Sequence, residues 1–389
     1  MNQFILITKD AMSTDYLPTY GNKYWKTPNI DAIAAQGTVF YNYHTAAPST
    51  VMAFYSMATG LFAHETNYEM YERIHDPVTI ESIFAKMKKA GLQPHIVWGK
   101  QWMPLLDYFD YFHDDVVFHV VENIEQKVGA HFIHDGFLKS NEIVAKKTVD
   151  ILADTVAEIL KDDNVFIWLH IPHVINGKVS YGSDINVLDD IVGAIRDLLP
   201  DDRIAISADH GNMNGHKGKI CYGYDVYECA IRIPLITPRI KGLSACHKLV
   251  SSVDLFPILL NREIPNREFI YSDSAYKAQK HRKLAILYGK YKYIYNKKDN
   301  KEELYDLEFD PNENFSIMED YVFDSDRKIY APSRELYFYP EWDELSNIRE
   351  LMRNEKRRIW ENGSLKYVLK SNTKDMLRPL YEKMTKVKS

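Results

Sequence analysis

The chain has 389 residues, of which 46% are hydrophobic and 26% are charged, so it is long and apolar enough to bury a large core. Its net charge is -6 and its lysines and arginines form no long run, which argues against a nucleic acid or a membrane surface as partner. The three cysteines, Cys221, Cys229 and Cys246, have no CxxC spacing, which argues against a disulfide framework or a thiolate zinc site and favours a reducing compartment.

The first residues predict a protein that stays in the cytoplasm. Residues 4–7 are an apolar run too short for the hydrophobic region of a signal peptide, and neither a basic segment nor a cleavage site accompanies them. Elsewhere the sequence does not approach the ~20 consecutive apolar residues that a membrane-spanning helix needs. We therefore expect cytoplasmic localisation and no stable membrane insertion.

The first predicted element is a buried strand. Residues 4–8 are short, continuously apolar and rich in β-branched side chains, which is typical of a parallel strand covered by helices on both faces. Asp10 follows this strand, and ligands of open α/β sheets bind beyond the carboxyl ends of strands. Asp10 is therefore a candidate ligand residue, although capping of a turn explains an aspartate here equally well.

A short helix and a strand come next. Residues 27–37 contain Pro28 near the start, apolar residues at helical spacing and Gly37 at the end, which predicts a helix with an ordinary stop. Residues 38–42 predict a strand, and this strand leads towards the next feature.

Ser49 and Thr50 stand directly before an apolar, helix-like segment at residues 51–58. The exposed N–H groups and the dipole at a helix N-terminus favour negative charge, so a hydroxyl placed there is a candidate nucleophile. Taken alone, such a Ser-Thr pair is more often a simple helix cap.

Two further predicted strands end in residues that can bind or protonate an anion. Residues 95–98 precede Lys100, although most lysines in such places are simply solvated. An amphipathic helix at residues 141–161 leads to a strand at residues 165–169. His173 follows that strand, where a histidine is more often packed or solvated than functional.

The second strong feature follows a helix at residues 184–199 and a strand at residues 203–208. Asp209, His210 and Gly211 come directly after the strand, where a carboxylate and an imidazole can reach one divalent ion if the backbone bends between them. The tripeptide alone is a weak motif.

A polar, glycine-rich segment at residues 212–219 comes next and adds His216. Its composition is typical of an active-site loop.

In this order the pieces resemble the alkaline phosphatase superfamily, and within it the sulfatase-like hydrolase and transferase branch. The resemblance extends over about residues 4–315. The segments that carry it are residues 4–60, 99–100, 172–173, 207–211, 227–236, 253–257, 290–295 and 303–311.

The resemblance implies an α/β fold: a large, mixed, mostly parallel sheet sandwiched by helices, a small antiparallel-sheet subdomain and a helical tail. We expect a catalytic core at residues 1–262, the small subdomain at residues 263–315 and a helical extension at residues 316–389. Aromatic residues at 337–342 of the extension would cover the mouth of the site, form the interface of a homo-oligomer or pack onto the core, and packing is the commonest fate of such residues.

The resemblance also implies the site residues. Asp10, Thr50, Asp209 and His210 would hold a divalent metal ion, with Thr50 also the nucleophile. The other three expected site residues would line the anion pocket, where they stabilise oxygens of the transferred group or protonate the leaving oxygen. These are Lys100, His173 and His216.

Two departures from the sulfatase pattern are informative. Thr50 occupies the position of the cysteine or serine that sulfatases convert to formylglycine, and a secondary alcohol cannot give that aldehyde. Lys9 and Asp10 replace the paired aspartates that sulfatases use for calcium. The remaining ligand set resembles that of manganese- or zinc-dependent phosphotransferases and phosphodiesterases, such as phosphoglycerol and phosphoethanolamine transferases. We therefore expect Mn²⁺ or Zn²⁺, with Ca²⁺ or Mg²⁺ as the alternatives.

These residues lead to three hypotheses for the function. We favour a metal-dependent hydrolase or transferase of phosphomonoesters or phosphodiesters, acting on a small-molecule or saccharide phosphate ester through a covalent intermediate on Thr50. The second hypothesis is a sulfatase that activates Thr50 in another way. The third is a non-catalytic binding module on the same fold.

Overall fold

The computed structural model describes residues 3–65, 68–70, 73–74, 82–99, 115–121, 137–171, 181–274, 281–318 and 344–362. The strands in this part of the chain are β1 (Gln3–Lys9), β2 (Thr38–Phe40), β3 (Tyr43–His44), β4 (Tyr68–Met70), β5 (Arg73–Ile74), β6 (Gln93–Gly99), β7 (Val117–Val121), β8 (Val165–Ile171), β9 (Ile204–Ala208), β10 (Leu235–Thr237), β11 (Ala245–Cys246), β12 (Val250–Ser251), β13 (Ile270–Asp273), β14 (Lys283–Tyr288), β15 (Tyr291–Asn296) and β16 (Lys301–Asp306).

The α-helices described are α1 (Pro28–Gln36), α2 (Thr50–Thr59), α3 (Ile83–Lys89), α4 (Phe137–Ile159), α5 (Tyr181–Arg196), α6 (Glu228–Ile231), α7 (Leu255–Asn261) and α8 (Leu345–Arg357). Short 3-10 helices lie at Thr14–Tyr16, Pro18–Tyr20, Ala63–Glu65, Asp201–Arg203, His216–Gly218 and Ser252–Asp254, and a π-helix spans Arg358–Asn362. Among the described helices, none combines the length and the apolar composition needed to cross a bilayer.

The large sheet has eight strands within the described residues, in the order β11-β2-β10-β9-β1-β8-β6-β7. β10 runs antiparallel to both of its neighbours, and the other pairings are parallel. A separate antiparallel sheet has the order β13-β14-β15-β16. Together the two sheets confirm the predicted α/β fold class.

The central strands are buried on both faces. In β1 the side chains of residues 4–7 are inaccessible to solvent, and the same holds for residues 166–169 of β8. Because helices and loops cover both faces, every position of such a strand can be apolar. This explains why the sequence shows continuous apolar runs here rather than alternation.

The register of β1 against its neighbours positions the residues that follow it. Lys9 lies opposite Ala208 of β9 on one side and opposite Ile171 of β8 on the other. The next residues, Asp10 and Asp209, therefore leave the same edge of the sheet side by side. This edge is the carboxyl end of the parallel strands, where α/β proteins bind their ligands.

Helix α2 is a core helix. All residues from Thr50 to Ala58 are buried, and the ring of Phe54 lies 4.6 Å from that of Trp168 and 5.7 Å from that of Trp98. A helix that is apolar on every side is buried on every side, which accounts for its continuous apolar sequence. The surrounding core thus fixes the position of Thr50 at its start.

The small antiparallel sheet has its own apolar cluster. Tyr293 and Leu304 of this sheet are buried in it, together with Met352 of α8. The antiparallel sheet predicted within residues 263–315 is therefore confirmed, while the domain boundaries stay predictions. The aromatic stretch at residues 337–342 lies outside the described residues.

Asp189 of α5 joins that helix to the start of α1. Its Oδ1 accepts hydrogen bonds from the backbone N–H groups of Asn29 at 3.0 Å and Ile30 at 2.9 Å, and its Oδ2 accepts one from the Asn29 side chain at 3.1 Å. Within the described residues, the N-cap residue Thr27 makes no side-chain hydrogen bond to α1. Asp189 therefore caps the N-terminus of α1, although it belongs to a different helix.

Replacing Asp189 by alanine should lower the free energy of unfolding by about 2 kcal/mol, because the half-buried N–H of Asn29 and the buried N–H of Ile30 lose their acceptor. Urea unfolding of the purified variant measures this change. Asp190→Ala is the matched control, since Asp190 is the next residue on the same helix and is exposed. Equal stability of the two variants would contradict the capping role.

Candidate active site

The candidate site begins where β1 and β9 end. Asp10 is 1% exposed and Asp209 is fully buried. Oδ1 of Asp209 accepts hydrogen bonds from the backbone N–H groups of Ala11 at 3.0 Å and His210 at 2.7 Å. Ala11 has a φ of 55°, a left-handed conformation that is costly for a residue with a Cβ atom. Its hydrogen bond to Asp209 helps to hold this turn.

His210 is fixed in one tautomer by its backbone neighbour. Its Nδ1 lies 2.8 Å from the carbonyl oxygen of Gly211, to which it can only donate. In the neutral ring this leaves a lone pair on Nε2. Nε2 lies 3.4 Å from Oδ2 of Asp209 and 3.6 Å from Oδ1 of Asp10. The lone pair is therefore available at the point where the two carboxylates converge.

Thr50 completes this group. Its Oγ1 lies 3.1 Å from Nε2 of His210, although 160 positions separate the two residues in sequence. Thr50 is the first residue of α2 and is 2% exposed. Within the described residues, Ser49 makes no helix-capping hydrogen bond with its side chain, so the simple capping interpretation of the Ser-Thr pair does not describe this helix.

The donor set fits a divalent metal ion. Asp10, Asp209 and His210 each offer one ligand atom, and these three atoms lie within 4.8 Å of one another. Oδ2 of Asp209 is buried and has no hydrogen-bond partner among the described residues, a cost that a bound cation would remove. One imidazole nitrogen and carboxylate oxygens suit Zn²⁺ and Mn²⁺. The structure thus brings the four predicted ligands together, and their binding of a metal stays a prediction.

Comparisons with known proteins agree with this arrangement. The family model named Sulfatase matches residues 2–174, the segment that carries Asp10 and Thr50. Over this N-terminal part the chain is similar to the sulfatase family, and its fold is that of alkaline phosphatase-like sulfatases.

Two solved structures share the fold of this chain over most of its length. The phosphonate monoester hydrolase of Agrobacterium radiobacter is 14% identical, with a TM-score of 0.62 over 93% of this chain and 96% of that one. A protein solved in complex with its substrate D-glucosamine-2-N, 6-O-disulfate is 15% identical, with a TM-score of 0.62 over 93% of this chain and 98% of that one. Identities this low show the fold alone.

A curated relative matches with higher sequence identity over a shorter length. The arylsulfatase of Clostridium perfringens is 28% identical over 139 residues, which are 35% of this chain. The match spans 29% of the length of that arylsulfatase.

The structure describes one of the three remaining predicted site residues. Lys100 and His173 lie outside the described residues. His216 is half-buried in the loop after the predicted metal ligands Asp209 and His210, and its Nε2 has no hydrogen-bond partner among the described residues. Burial and the nearby cations Lys217 and Lys292 lower the pKa of His216, which keeps its imidazole neutral near pH 7.

Sequence reasoning missed two neighbours of the site. Nζ of Lys9 lies 2.7 Å from Oδ2 of Asp184 in a buried ion pair between β1 and α5. A weak signal existed, because Asp184 begins the predicted helix at residues 184–199 on the same face as the apolar residues Leu188 and Ile191. The ring of Tyr222 lies 4.3 Å from that of His210, between centroids, and packs on this metal-ligand candidate. The sequence of a loop gives no comparable signal.

Burial raises the pKa of Asp209 to about 6, and the hydrogen bonds from Ala11 and His210 offset only part of that effect. The carboxyl group of the metal-free protein is therefore protonated in an increasing fraction as the pH falls below 6. A metal ion must displace this proton before Asp209 can bind it.

We therefore expect the affinity for Mn²⁺ to fall about tenfold for each pH unit below about 6. Above that pH Asp209 is already deprotonated, so its titration should change the affinity much less. Calorimetric titrations of the metal-free protein between pH 5 and pH 8, values bracketing that pKa of about 6, measure this dependence. The same affinity at both ends of the range would contradict a ligand role for this buried carboxyl group.

Proposed function

We propose that this chain is a metal-dependent hydrolase of anionic esters in which Thr50 is the nucleophile. The observation that carries the proposal is the position of the Thr50 hydroxyl, whose Oγ1 lies 3.1 Å from Nε2 of His210, beside two buried carboxylates. A hydroxyl that served only packing or capping would have no reason to meet such a group. The presence of all four residues also argues against a non-catalytic binding module.

Asp10, Asp209, His210 and Thr50 would hold the metal, for which we favour Mn²⁺ or Zn²⁺ over Ca²⁺ or Mg²⁺. A divalent ion there lowers the pKa of a hydroxyl and neutralises charge on the transferred group. The superfamily generally uses divalent metals, which supports this assignment.

The protein groups account for the rest of the proposed reaction. Core packing of α2 fixes the Thr50 oxygen for attack, and the N–H groups at the start of that helix favour the anion being transferred. His216 is neutral near pH 7, so it suits a hydrogen bond to the leaving oxygen better than electrostatic binding of the anion. Lys100 and His173 remain our proposals for further contacts with the anion.

Two ester classes are candidates for the substrate. Sulfate esters have the better support from similarity, because both the matching family model and the curated arylsulfatase are sulfatases. Phosphoryl esters have the support of residue chemistry, because Thr50 cannot become a formylglycine aldehyde and a metal-activated threonine suits phosphoryl transfer. One structural relative acts on a sulfated glucosamine, which supports a saccharide as the leaving group in either case.

Replacing Thr50 by alanine should lower kcat/KM at least about a thousandfold, since the attacking oxygen is removed. Thr50→Ser should keep a large part of the activity because it retains a hydroxyl at the same place. Ser49→Ala is the matched control at the neighbouring position, and its rate should change little. Thr50→Ala with undiminished turnover would exclude the nucleophile role.

Esters that share one leaving group test which anion is transferred. We expect the protein loaded with Mn²⁺ or Zn²⁺ to hydrolyse at least one of p-nitrophenyl sulfate, p-nitrophenyl phosphate, bis(p-nitrophenyl) phosphate and p-nitrophenyl phenylphosphonate. Because the leaving group is constant, the ranking of kcat/KM reports the preferred anion. A preference for the sulfate ester would reject the phosphoryl assignment, and inactivity on all four with metal bound would reject the hydrolase proposal for aryl esters.

A further inference from the structure

A buried group of charged side chains lies between the large sheet and the small one, and the proposed reaction does not use it. We call it the junction cluster: His44, Glu228, Lys292 and Glu313. Nζ of Lys292 lies 2.9 Å from Oε1 of Glu228 and 2.8 Å from Oε1 of Glu313. The second oxygen of Glu228 lies 3.1 Å from Nε2 of His44. One ammonium thus joins two carboxylates.

Water hardly reaches the junction cluster. The side chains of Lys292 and Glu313 are fully buried, that of His44 is 3% exposed and that of Glu228 is 12% exposed. Glu313 also has a φ of 53°, a strained conformation for a residue with a side chain. Buried charges are costly to assemble, and removing one partner costs more than the pair contributes, so the position of each member depends strongly on the others.

The junction cluster holds the start of α6. Glu228 is the first residue of this helix, and its backbone N–H donates to Oε2 of Glu313 at 2.7 Å. A helix of four residues has little stability of its own. Its place is therefore set by the groups that bind its first turn, above all by the Lys292 ammonium and the Glu313 carboxylate.

Helix α6 in turn supports the backbone of the metal-ligand turn. The carbonyl oxygen of Ala230 accepts from the N–H of Gly211 at 2.8 Å, and that of Cys229 accepts from the N–H of Asn212 at 2.9 Å. The approach is so close that a Cβ atom on Gly211 would lie 2.1 Å from the carbonyl oxygen of Cys229. Movement of α6 would therefore move the residues directly after His210.

The same helix also contacts the segment that leads to the nucleophile. The carbonyl oxygen of Ile231 accepts from the N–H of Thr45 at 2.8 Å, next to the junction-cluster member His44. Helix α6 thus lies between the chain that continues to Thr50 and the turn that carries Asp209 and His210.

We propose that Lys292 is a positioning residue for the metal centre, because its ammonium holds the start of α6 against the turn that carries the metal ligands. Through this contact the small sheet, which contributes Lys292 from β15, sets the geometry of a site built on the large sheet. The inference rests on the metal binding proposed above. Without the ammonium, the buried carboxylates of Glu228 and Glu313 would repel each other. Either α6 would shift and move them apart, or one of the two carboxylates would take up a proton.

The test compares metal-free wild-type protein with Lys292→Met, which keeps the length of the side chain and removes its charge. We expect calorimetry to show Mn²⁺ binding about tenfold weaker, as for other residues that orient metal ligands without touching the metal. We also expect faster hydrogen exchange at the N–H groups of Gly211 and Asn212. Lys290→Met is the matched control, because Lys290 is a partly exposed residue beside the same strand and pairs with Asp306 at 3.1 Å. It should change neither measurement.

The two measurements separate this inference from the proposed function. Wild-type protein that binds neither Mn²⁺ nor Zn²⁺ would overturn the metal assignment, whereas unchanged exchange at Gly211 and Asn212 in Lys292→Met would overturn the positioning role. A lower unfolding midpoint with unchanged Mn²⁺ affinity would also overturn it, since that is the result of a merely structural lysine. If Lys292→Met does not fold, Glu313→Gln decides: it keeps an acceptor for the Glu228 N–H, and unchanged Mn²⁺ binding and exchange in that variant would reject the proposal.

Discussion

The candidate site depends on the pairing of β1 with β9. Lys9 lies opposite Ala208, so the two chains leave the sheet together and deliver Asp10 beside Asp209. Side chains alternate between the faces of a strand, and a slip of one residue would turn Asp10 to the other face. The hydrogen bond from Ala11 to Asp209 ties the two turns together beyond the last ladder pair. The register of β1 against β9 therefore also sets the relative positions of Asp10 and Asp209.

Burial of several charges is the main cost of this architecture. Two carboxylates lie at the ends of the central strands with almost no access to water, and the fold surrounds them with backbone donors, the N-terminus of α2 and the nearby ammonium of Lys9. Lys9 is itself held by Asp184 of α5. In the junction cluster at the start of α6, buried charges are likewise compensated by buried charges of opposite sign. Chains of compensated charge of this kind tolerate little change in any one member, because each ion depends on its partner for solvation.

The architecture and the places of the candidate ligands could be predicted, because strands and helices follow from sequence patterns of short range. The ligand role of these residues is implied by the resemblance and stays a prediction. Asp10 and Asp209 each follow an apolar run and Thr50 precedes one, and such runs identify the strands and helices and the edge of the sheet at which the strands end. The antiparallel direction of β10 could not be predicted, because an apolar sequence does not show in which direction its strand runs in the sheet. The partners of Lys9 and Lys292 could not be predicted either: each ion pair joins segments far apart in sequence, and only packing brings them together. The domain boundaries, Lys100 and His173 stay predictions.

The wide spacing of the four candidate ligands has a consequence for biogenesis. Thr50 and His210 are 160 positions apart, so at about 5–20 residues per second a ribosome releases the first pair of ligands about 8 to 30 seconds before the second. Over the same interval β1 lacks β9, and for most of it β8 as well. The emerging N-terminal half thus exposes an apolar strand with open edges and only part of a cation site. Binding of a cation by the four candidate ligands would therefore stabilise the completed fold and not the first half of the chain as it leaves the ribosome.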